Sequence, residues 1–433
     1  MKKVVYSFFL FVFSVLGFSS SAQVQFKLQL LQSNDSLAIP YASVKDLKTS
    51  KVYLSNLNGE VLFTFNKLPK QLKLAVSFIG NKGIYEVQIN HPSEQQLFLH
   101  KRTFQLAEAA IKGLTAKDIM LKVVKQIPEN YLDSSFLLLG NYRQFQQING
   151  KYKNLIEAQM GIASQLTRNE NELKAKESFA IIQMRRSHYY YPIEGNIPDD
   201  INDLMLENPI YHLMRNSLNP KAFDEYEFEF DTNSFFSKKE YIIHYRNKSL
   251  PVERHSIDGY EYGYFSGEAR EQGTFVVSKE NFALLELERN SIRNPQYSYP
   301  MNNNYVLPSK RYTIEFKGAH LKMKFDIKDG KYFLKELYHQ YSHDFFDAKS
   351  GVKSYFIQDF FEWNSVLATR VLPIEMKDDF YETTALPLSN YTYEPAAWSQ
   401  FMPYSFYVPI EVLYHEMGKV IPLEIQFKQQ TTE

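Results

Sequence analysis

Cysteine is absent from all 433 residues. That excludes disulfides, a cysteine nucleophile, thiolate metal sites and a lipid anchor carried on an N-terminal cysteine. A basic excess is absent too. Lys and Arg number 49 against 49 Asp and Glu, so the electrostatic footprint of a nucleic-acid binder is missing. No Gly-rich phosphate loop occurs. Gly-x-Ser-x-Gly is missing, because Gly263-Tyr264-Phe265-Ser266-Gly267 places its serine one position late for a sharp elbow. The two-histidine zinc helix is missing as well, since His415-Glu416 is followed by Lys419 rather than histidine. After residue 22, no apolar run reaches the ~20 residues that span a bilayer as a helix.

Aromatic side chains are abundant, with 31 Tyr and 34 Phe. Together with frequent β-branched residues they favour sheets over helix bundles. The length points to two or three domains. At the N-terminus, Lys2-Lys3 precede the apolar stretch Val4 to Phe18, which ends in the small residues Ser19-Ser20-Ser21-Ala22. This reads as a signal peptide over residues 1–22, cleaved after Ala22. The mature chain then carries two more acidic than basic side chains and no transmembrane segment.

From Val24 to Leu99, apolar residues alternate in seven short stretches. Val24, Phe26, Leu28 and Leu30 form the first, and Leu97-Phe98-Leu99 the last. Turn signals separate them, including Asn58-Gly59 as a hairpin turn. The spacing predicts a seven-stranded β-sandwich over residues 23–100. Pro40-x-Ala42-Ser43-Val44, Asn56-x-x-Gly59 with Phe63, and Ser77-x-x-Gly80 resemble the carboxypeptidase-like regulatory domain, a transthyretin-like fold of Bacteroidetes-type exported proteins. Asn56 stands where that family often has Asp, and Asn81 where an aromatic often follows the glycine. The resemblance implies an accessory sandwich without catalysis.

Residues 101–130 read as a connector and a helix. Thr115-x-x-Asp118 suits a capping box, Ile119, Val123, Val124 and Ile127 share one face, and Pro128 ends the helix. Residues 131–385 read as a large antiparallel β domain, with a helical insert near 200–218. Asn208-Pro209 there suits the start of a helix carrying Ile210, Leu213 and Met214. Asn149-Gly150 and Asp329-Gly330 read as hairpin turns, and Phe223 to Phe230, Tyr305 to Phe316 and Leu321 to Ile327 as separate strands. A meander of this kind curls into a half-barrel or barrel, architecturally similar to periplasmic lipoprotein carriers. The helix ending in Ile-Pro-x-Asn-Tyr, the strand with Tyr142-Arg143 and the following Glu157-Ala158 also resemble the exported proteins. Residues 386–433, with Tyr393-Glu394-Pro395 and Trp398, read as an extended tail packed on the sheet. The expected class is mostly β (α+β).

Catalytic candidates are weak. His91-x-x-Glu94 has zinc spacing, but Pro92 disfavours a helix and the position suggests a solvated loop. His339 and His343, with Asp344 adjacent, would share a metal on a helix, yet they fall in a strand pattern that separates them. Asp326-x-x-Asp329 lacks the further oxygens of a calcium loop. Asp199-Asp200 and Asp378-Asp379 read as turn residues. Tyr189-Tyr190-Tyr191 and Phe345-Phe346 read as core, or as a groove for lipid or sugar. The sequence therefore assigns no catalytic, cofactor-binding or metal residue and no enzyme activity. The expectation is a non-enzymatic exported envelope protein, periplasmic or outer-membrane-associated, that binds a protein partner or ligand. The alternatives are a carrier of a lipophilic ligand in a curved sheet, and a hydrolase acting on glycans or peptides.

Overall fold

The computed structural model describes residues 24–33, 36, 38–39, 42–49, 51–56, 58–78, 81–91, 93–99, 114–169, 172–188, 190, 201–213, 218–231, 239–248, 255–257, 260–262, 269–293, 312–369, 393, 395–398 and 410–429. The expected signal peptide, Gly80, Asp199-Asp200, Gly263 to Gly267, Met214, Asp378-Asp379 and the stretch before Tyr312 lie outside the described residues. The chain divides into two compact units, Met1–Ser77 with Lys82–Lys101, and Phe78–Asn81 with Arg102–Glu433.

The first unit holds β1 (Val24–Gln32), β2 (Ser43–Asp46), β3 (Val52–Leu54), β4 (Glu60–Phe65), β5 (Gln71–Phe78), β6 (Asn81–Gln88) and β7 (Glu94–Leu99). They form a three-stranded sheet, β4-β1-β7, and a four-stranded one, β3-β2-β5-β6. The seven expected strands are present. Period-two alternation buries Phe26, Leu28 and Leu30 on β1, Val61 and Phe63 on β4, and Leu72, Leu74 and Val76 on β5. Tyr53 of one sheet meets Phe63 of the other at 4.6 Å between ring centroids.

The hairpin expected at Asn58-Gly59 is a turn of another kind. It joins β3 to β4, which belong to different sheets. Only Gly59 takes positive φ, at 72°, and its carbonyl accepts from Leu30 N at 2.8 Å. The Asn56 side chain organises this crossover. Its Oδ1 accepts from the N–H of Asn58 and of Glu60, each at 2.9 Å. Its Nδ2 donates to the Glu60 carboxylate at 3.0 Å. An Asp at this position would keep the first two bonds and face Glu60 with a like charge, so Asn suits the neighbour this chain has.

The second unit is built on one sheet of ten antiparallel strands. They are β8 (Phe136–Ile148), β9 (Lys151–Asn169), β10 (Glu172–Arg186), β11 (Tyr226–Phe230), β12 (Glu240–Asn247), β15 (Ala269–Ser278), β16 (Leu284–Arg293), β17 (Tyr312–Lys328), β18 (Lys331–Asp347) and β19 (Lys353–Thr369). A separate small ribbon pairs β13 (His255–Ile257) with β14 (Tyr260–Tyr262). The sheet order is β10-β9-β8-β19-β18-β17-β16-β15-β12-β11. The sheet is open, with β10 and β11 as its edges, so the closed-barrel alternative is not met. Asn149-Gly150 and Asp329-Gly330 form the expected hairpins, with φ of 50° and 78°, and 52° and 78°. The two strands expected within 305–327 merge into β17. The strand expected from Phe223 starts at Tyr226, after a 3₁₀ turn (Pro220–Glu225).

Helix α1 (Ala116–Asn130) opens on the expected capping box. Asp118 N donates to Thr115 Oγ1 at 3.1 Å, and Thr115 N donates to the Asp118 carboxylate at 2.8 Å. The helix runs two residues past Pro128, which sits in its last turn. α1 packs against β10, β11 and β18, the two edges and the middle of the sheet, so the face it covers is concave. The Ile-Pro-x-Asn-Tyr end anchors it there. Asn130 donates to Asn281 O at 2.8 Å and Tyr131 to Leu284 O at 2.6 Å, while Lys331 donates to Glu129 O at 2.9 Å. Helix α2 (Ile201–Met205) adds Ile201 and Leu204 to the same core. Asn208 caps only a turn within the described residues, its Oδ1 accepting from Ile210 N at 3.1 Å.

The expected extended tail is instead helical where described: α3 (Pro395–Trp398), α4 (Ile410–Met417) and α5 (Leu423–Gln429). The tail reads as extended from sequence because of its Pro-interrupted aromatic stretch up to Tyr407, whereas α4 and α5 lie beyond that stretch. Tyr131→Phe is expected to lower stability by about 1–2 kcal/mol by orphaning the buried Leu284 carbonyl. A shift in the urea midpoint at unchanged m-value checks it, and an unchanged midpoint would contradict the anchoring role.

Candidate functional site

Two adjacent cross-strand rows run the full width of the ten-stranded sheet and point to opposite faces. One row reads Arg185, Glu157, Arg143, Glu362, Tyr338, Lys322, Glu288, Thr274, His244, Glu229, each directly opposite the next. Its left half is buried. Arg143 donates to Glu362 through Nε at 2.6 Å and Nη2 at 2.5 Å, and both side chains are 1% exposed. Phe145 and Phe360 stack beside them at 4.6 Å. Arg185 donates to Glu157 from Nε at 2.8 Å and from Nη2 to the Tyr414 hydroxyl, which itself donates to Glu157 at 2.5 Å. The Arg185 guanidinium lies over Trp398 at 4.3 Å and Phe427 at 4.8 Å. Helices α3 to α5 thus converge on one arginine, and α5 also accepts from the His188 backbone N–H through Gln426 at 3.2 Å. Burial works against that charge, and Glu157 more than restores it, holding Arg185 above its ordinary value.

The second row faces α1. It reads Phe228, Tyr245, Gly273, Arg289, Leu321, His339, Phe361, Gln144, Ile156, Arg186. Arg289 donates to Glu207, in the turn after α2, at 2.6 Å; the two side chains are 13% and 22% exposed. Glu271 belongs to the same group. Burial pushes its carboxyl above the usual range; Arg289 pulls it down, Glu207 pushes it up, and the Tyr226 and Tyr245 hydroxyls pull it down. Tyr226 reaches Glu271 Oε1 at 3.4 Å, and its ring meets Tyr245 edge-on at 5.6 Å. Gly273 is required here, because a Cβ would lie 2.7 Å from a carbon of the Tyr245 ring.

His339 lies two strands from Arg289, about 10 Å along the sheet. It is fully buried, and neither ring nitrogen has a hydrogen-bond partner. Its ring packs on Tyr341 at 4.0 Å. Burial pushes its pKa down to about 3, with Glu207 opposing and Arg289 reinforcing that shift. The imidazole is therefore neutral, with one dry donor and one dry acceptor.

The other sequence candidates disperse. His343 shares the face of His339, but Tyr341 stands between them, and Asp344 points the other way, onto Lys317 at 3.4 Å and Lys353 at 2.6 Å. His91 is exposed, and Glu94 pairs with Lys27 at 3.2 Å. Asp326 accepts from Lys335 at 2.8 Å beside its hairpin. His415 lies exposed on α4. Tyr190 is 48% exposed and Phe345 is buried. Among the described residues, no three His, Cys, Asp or Glu converge as a metal site. Glu207, Glu271 and Arg289 were not singled out by sequence. Arg289 did carry a signal, since in Leu284 to Arg293 it occupies the apolar phase of the strand with Leu287.

The fold defines a class, a two-unit, predominantly antiparallel β protein. No helix among the described residues is long and apolar enough to cross a membrane, which says nothing about strands. No family model and no curated protein matches the chain. A comparison with solved structures gives a structure of lipid–protein interactions in lipovitellin, at 9% identity and a TM-score of 0.20, over 54% of this chain and 25% of that one. The chain thus spans about a quarter of that protein, and a likeness of this strength carries no argument.

Two outcomes test this geometry. Arg143→Met is expected to cost about 3–5 kcal/mol by stranding the Glu362 charge, with Arg143→Met/Glu362→Leu recovering most of it; equal losses in both would contradict the pairing. The unfolded chain protonates His339 below its ordinary pKa near 6.5, whereas the folded chain resists down to about 3. Stability should therefore fall as pH drops through that window, and His339→Phe should reduce the slope by about 1.4 kcal/mol per pH unit. Urea titrations at pH 6 and pH 5 read this directly, and identical slopes would contradict a buried neutral imidazole.

Proposed function

We propose that this chain is a non-enzymatic, exported envelope protein that binds a ligand or partner. The observation that carries the reading is the group at Arg289. Two carboxylates, a guanidinium and Tyr226 meet on the concave face at partly exposed positions, beside the buried Tyr245, and convergent polar groups with a shifted acid are what a binding site needs. Residues 1–22 and the resemblance of residues 24–100 to the carboxypeptidase-like regulatory domain support export and an accessory role for the first unit. Placement in the periplasm or at the outer membrane follows from the same two features.

The lipophile-carrier reading ranks lower, because α1 and α2 fill the apolar part of the concave face with Ile119, Met120, Val123 and Leu204. A glycan or peptide hydrolase is the second reading. The raised Glu271 beside Glu207 favours it, since a carboxyl displaced toward the neutral form is the usual general acid.

Native mass spectrometry of the protein purified from its own envelope tests the proposal. A chain starting at Gln23 that carries a non-lipid ligand, or cross-links to one envelope protein, is the expected result. A bound acyl lipid would put the carrier first. A chain retaining residues 1–22, or a bare mass with no cross-linked partner, would overturn the proposal.

A further inference from the structure

We propose that helices α3 to α5 form a strap that leaves the sheet as one unit before the sheet unfolds, with Arg185 as its latch. The strap lies on the face opposite the Arg289 group, so its release is independent of what that group binds.

The three helices are too short to persist alone. They hold 4, 8 and 7 residues, and isolated helices shorter than ~12–15 residues are marginal in water. They are helical because they are docked. Their buried side chains stand apart from the core of the sheet. Trp398, Leu413, Leu423 and Phe427 are buried, yet among the described residues the apolar cluster that joins α1 to the strands contains none of them. α1 differs in this respect, since Ile119, Met120, Val123 and Ile127 all belong to that cluster.

The attachment is concentrated at the end of β10. The Arg185 guanidinium lies 4.3 Å from the centre of the Trp398 ring, 4.8 Å from that of Phe427 and 5.7 Å from that of Tyr414. One planar cation therefore touches all three helices. Just past the strand, the His188 N–H donates to Gln426 at 3.2 Å and the His188 ring meets Gln429 Oε1 at 2.9 Å. The strap is also tied to itself. Tyr393 donates to Glu424 at 2.9 Å and packs edge-on against Phe427 at 5.6 Å. Gln426 of α5 donates to Met417 O, at the end of α4, at 3.2 Å and to Ile421 O at 2.7 Å. Internal ties make the helices move together, and a shared latch makes them leave together.

Opening strands no charge. Arg185 keeps Glu157, 2.8 Å from its Nε, when the strap is gone, and Arg143 keeps Glu362. The buried ion pairs of the sheet thus survive release, whereas losing one partner of such a pair would be strongly destabilising. Release uncovers the flat face of the guanidinium and the rings of Tyr393, Trp398, Tyr414 and Phe427. Docking hides this aromatic surface and release presents it.

The chain carries its own reporters, because it has two tryptophans. Trp363 is buried in the sheet and Trp398 in the strap. The test is a urea titration of the mature full chain followed by tryptophan fluorescence. Trp363→Phe leaves the strap reporter, and Trp398→Phe leaves the sheet reporter. The strap transition should come at lower urea than the sheet transition. Arg185→Lys keeps a cation for Glu157 and loses the planar stacking. It should lower the strap midpoint and leave the sheet midpoint in place. Hydrogen exchange, with both tryptophans retained, decides where Trp363→Phe misfolds. Amides of α4 and α5 should exchange faster than those of β9, and Arg185→Lys should speed both helices together by about tenfold with β9 unchanged. Coincident strap and sheet transitions, exchange in α4 and α5 as slow as in β9, or an Arg185→Lys effect that is absent or shared equally by the sheet overturns the inference.

Discussion

The buried pair of Arg143 and Glu362 is the constraint on which the second unit depends. The residues lie 219 apart in sequence and join β8 to β19, the pairing that brings the start and the end of the sheet together. A slip of one residue in that pairing would turn Arg143 and Glu362 to opposite faces and strand two charges in the interior. Arg185 and Glu157 extend the same row to the β10 edge, and Tyr414 ties it to α4. The pairs add little stability over a well-packed apolar alternative. What they impose is register, and every side chain on the concave face takes its position from that register.

The opposite face uses a different principle. At the α1 end, apolar residues from the strands close over Ile119, Met120 and Val123, and the helix is held by backbone carbonyls accepting from Asn130, Tyr131 and Lys331. Farther along the strands, the same face carries Arg289, Glu271 and His339. One row of side chains thus passes from an aromatic edge at Phe228 and Tyr245, through a charged group, to the amide of Gln144. The polar members are kept where an apolar residue would pack more cheaply.

Local features of this fold are written in the sequence. Asn149-Gly150 and Asp329-Gly330 take the positive φ values their residue types allow. Thr115 and Asp118 form the capping box their spacing suggests, and the seven alternating stretches before residue 100 become seven strands. Long-range features are not written there. Nothing in Arg143 announces Glu362, or in Arg289 announces Glu207, since those partners are set by sheet order. Pro128 misleads because proline can sit in the last turn of a helix, and here Lys331 takes up the terminal carbonyls of Pro128 and Glu129. Asn58-Gly59 misleads because a turn dipeptide fixes the bend, not the sheet that the next strand joins. His339 was legible as a strand residue. Its solitude was not, because that depends on what packs around it.

Native-state hydrogen exchange of the Arg143→Met variant tests the register claim most directly. The account predicts faster exchange through β8 and β19 together with β16 to β18, whose concave-face residues take their positions from that pairing. Faster exchange confined to the few residues around position 143 would contradict it.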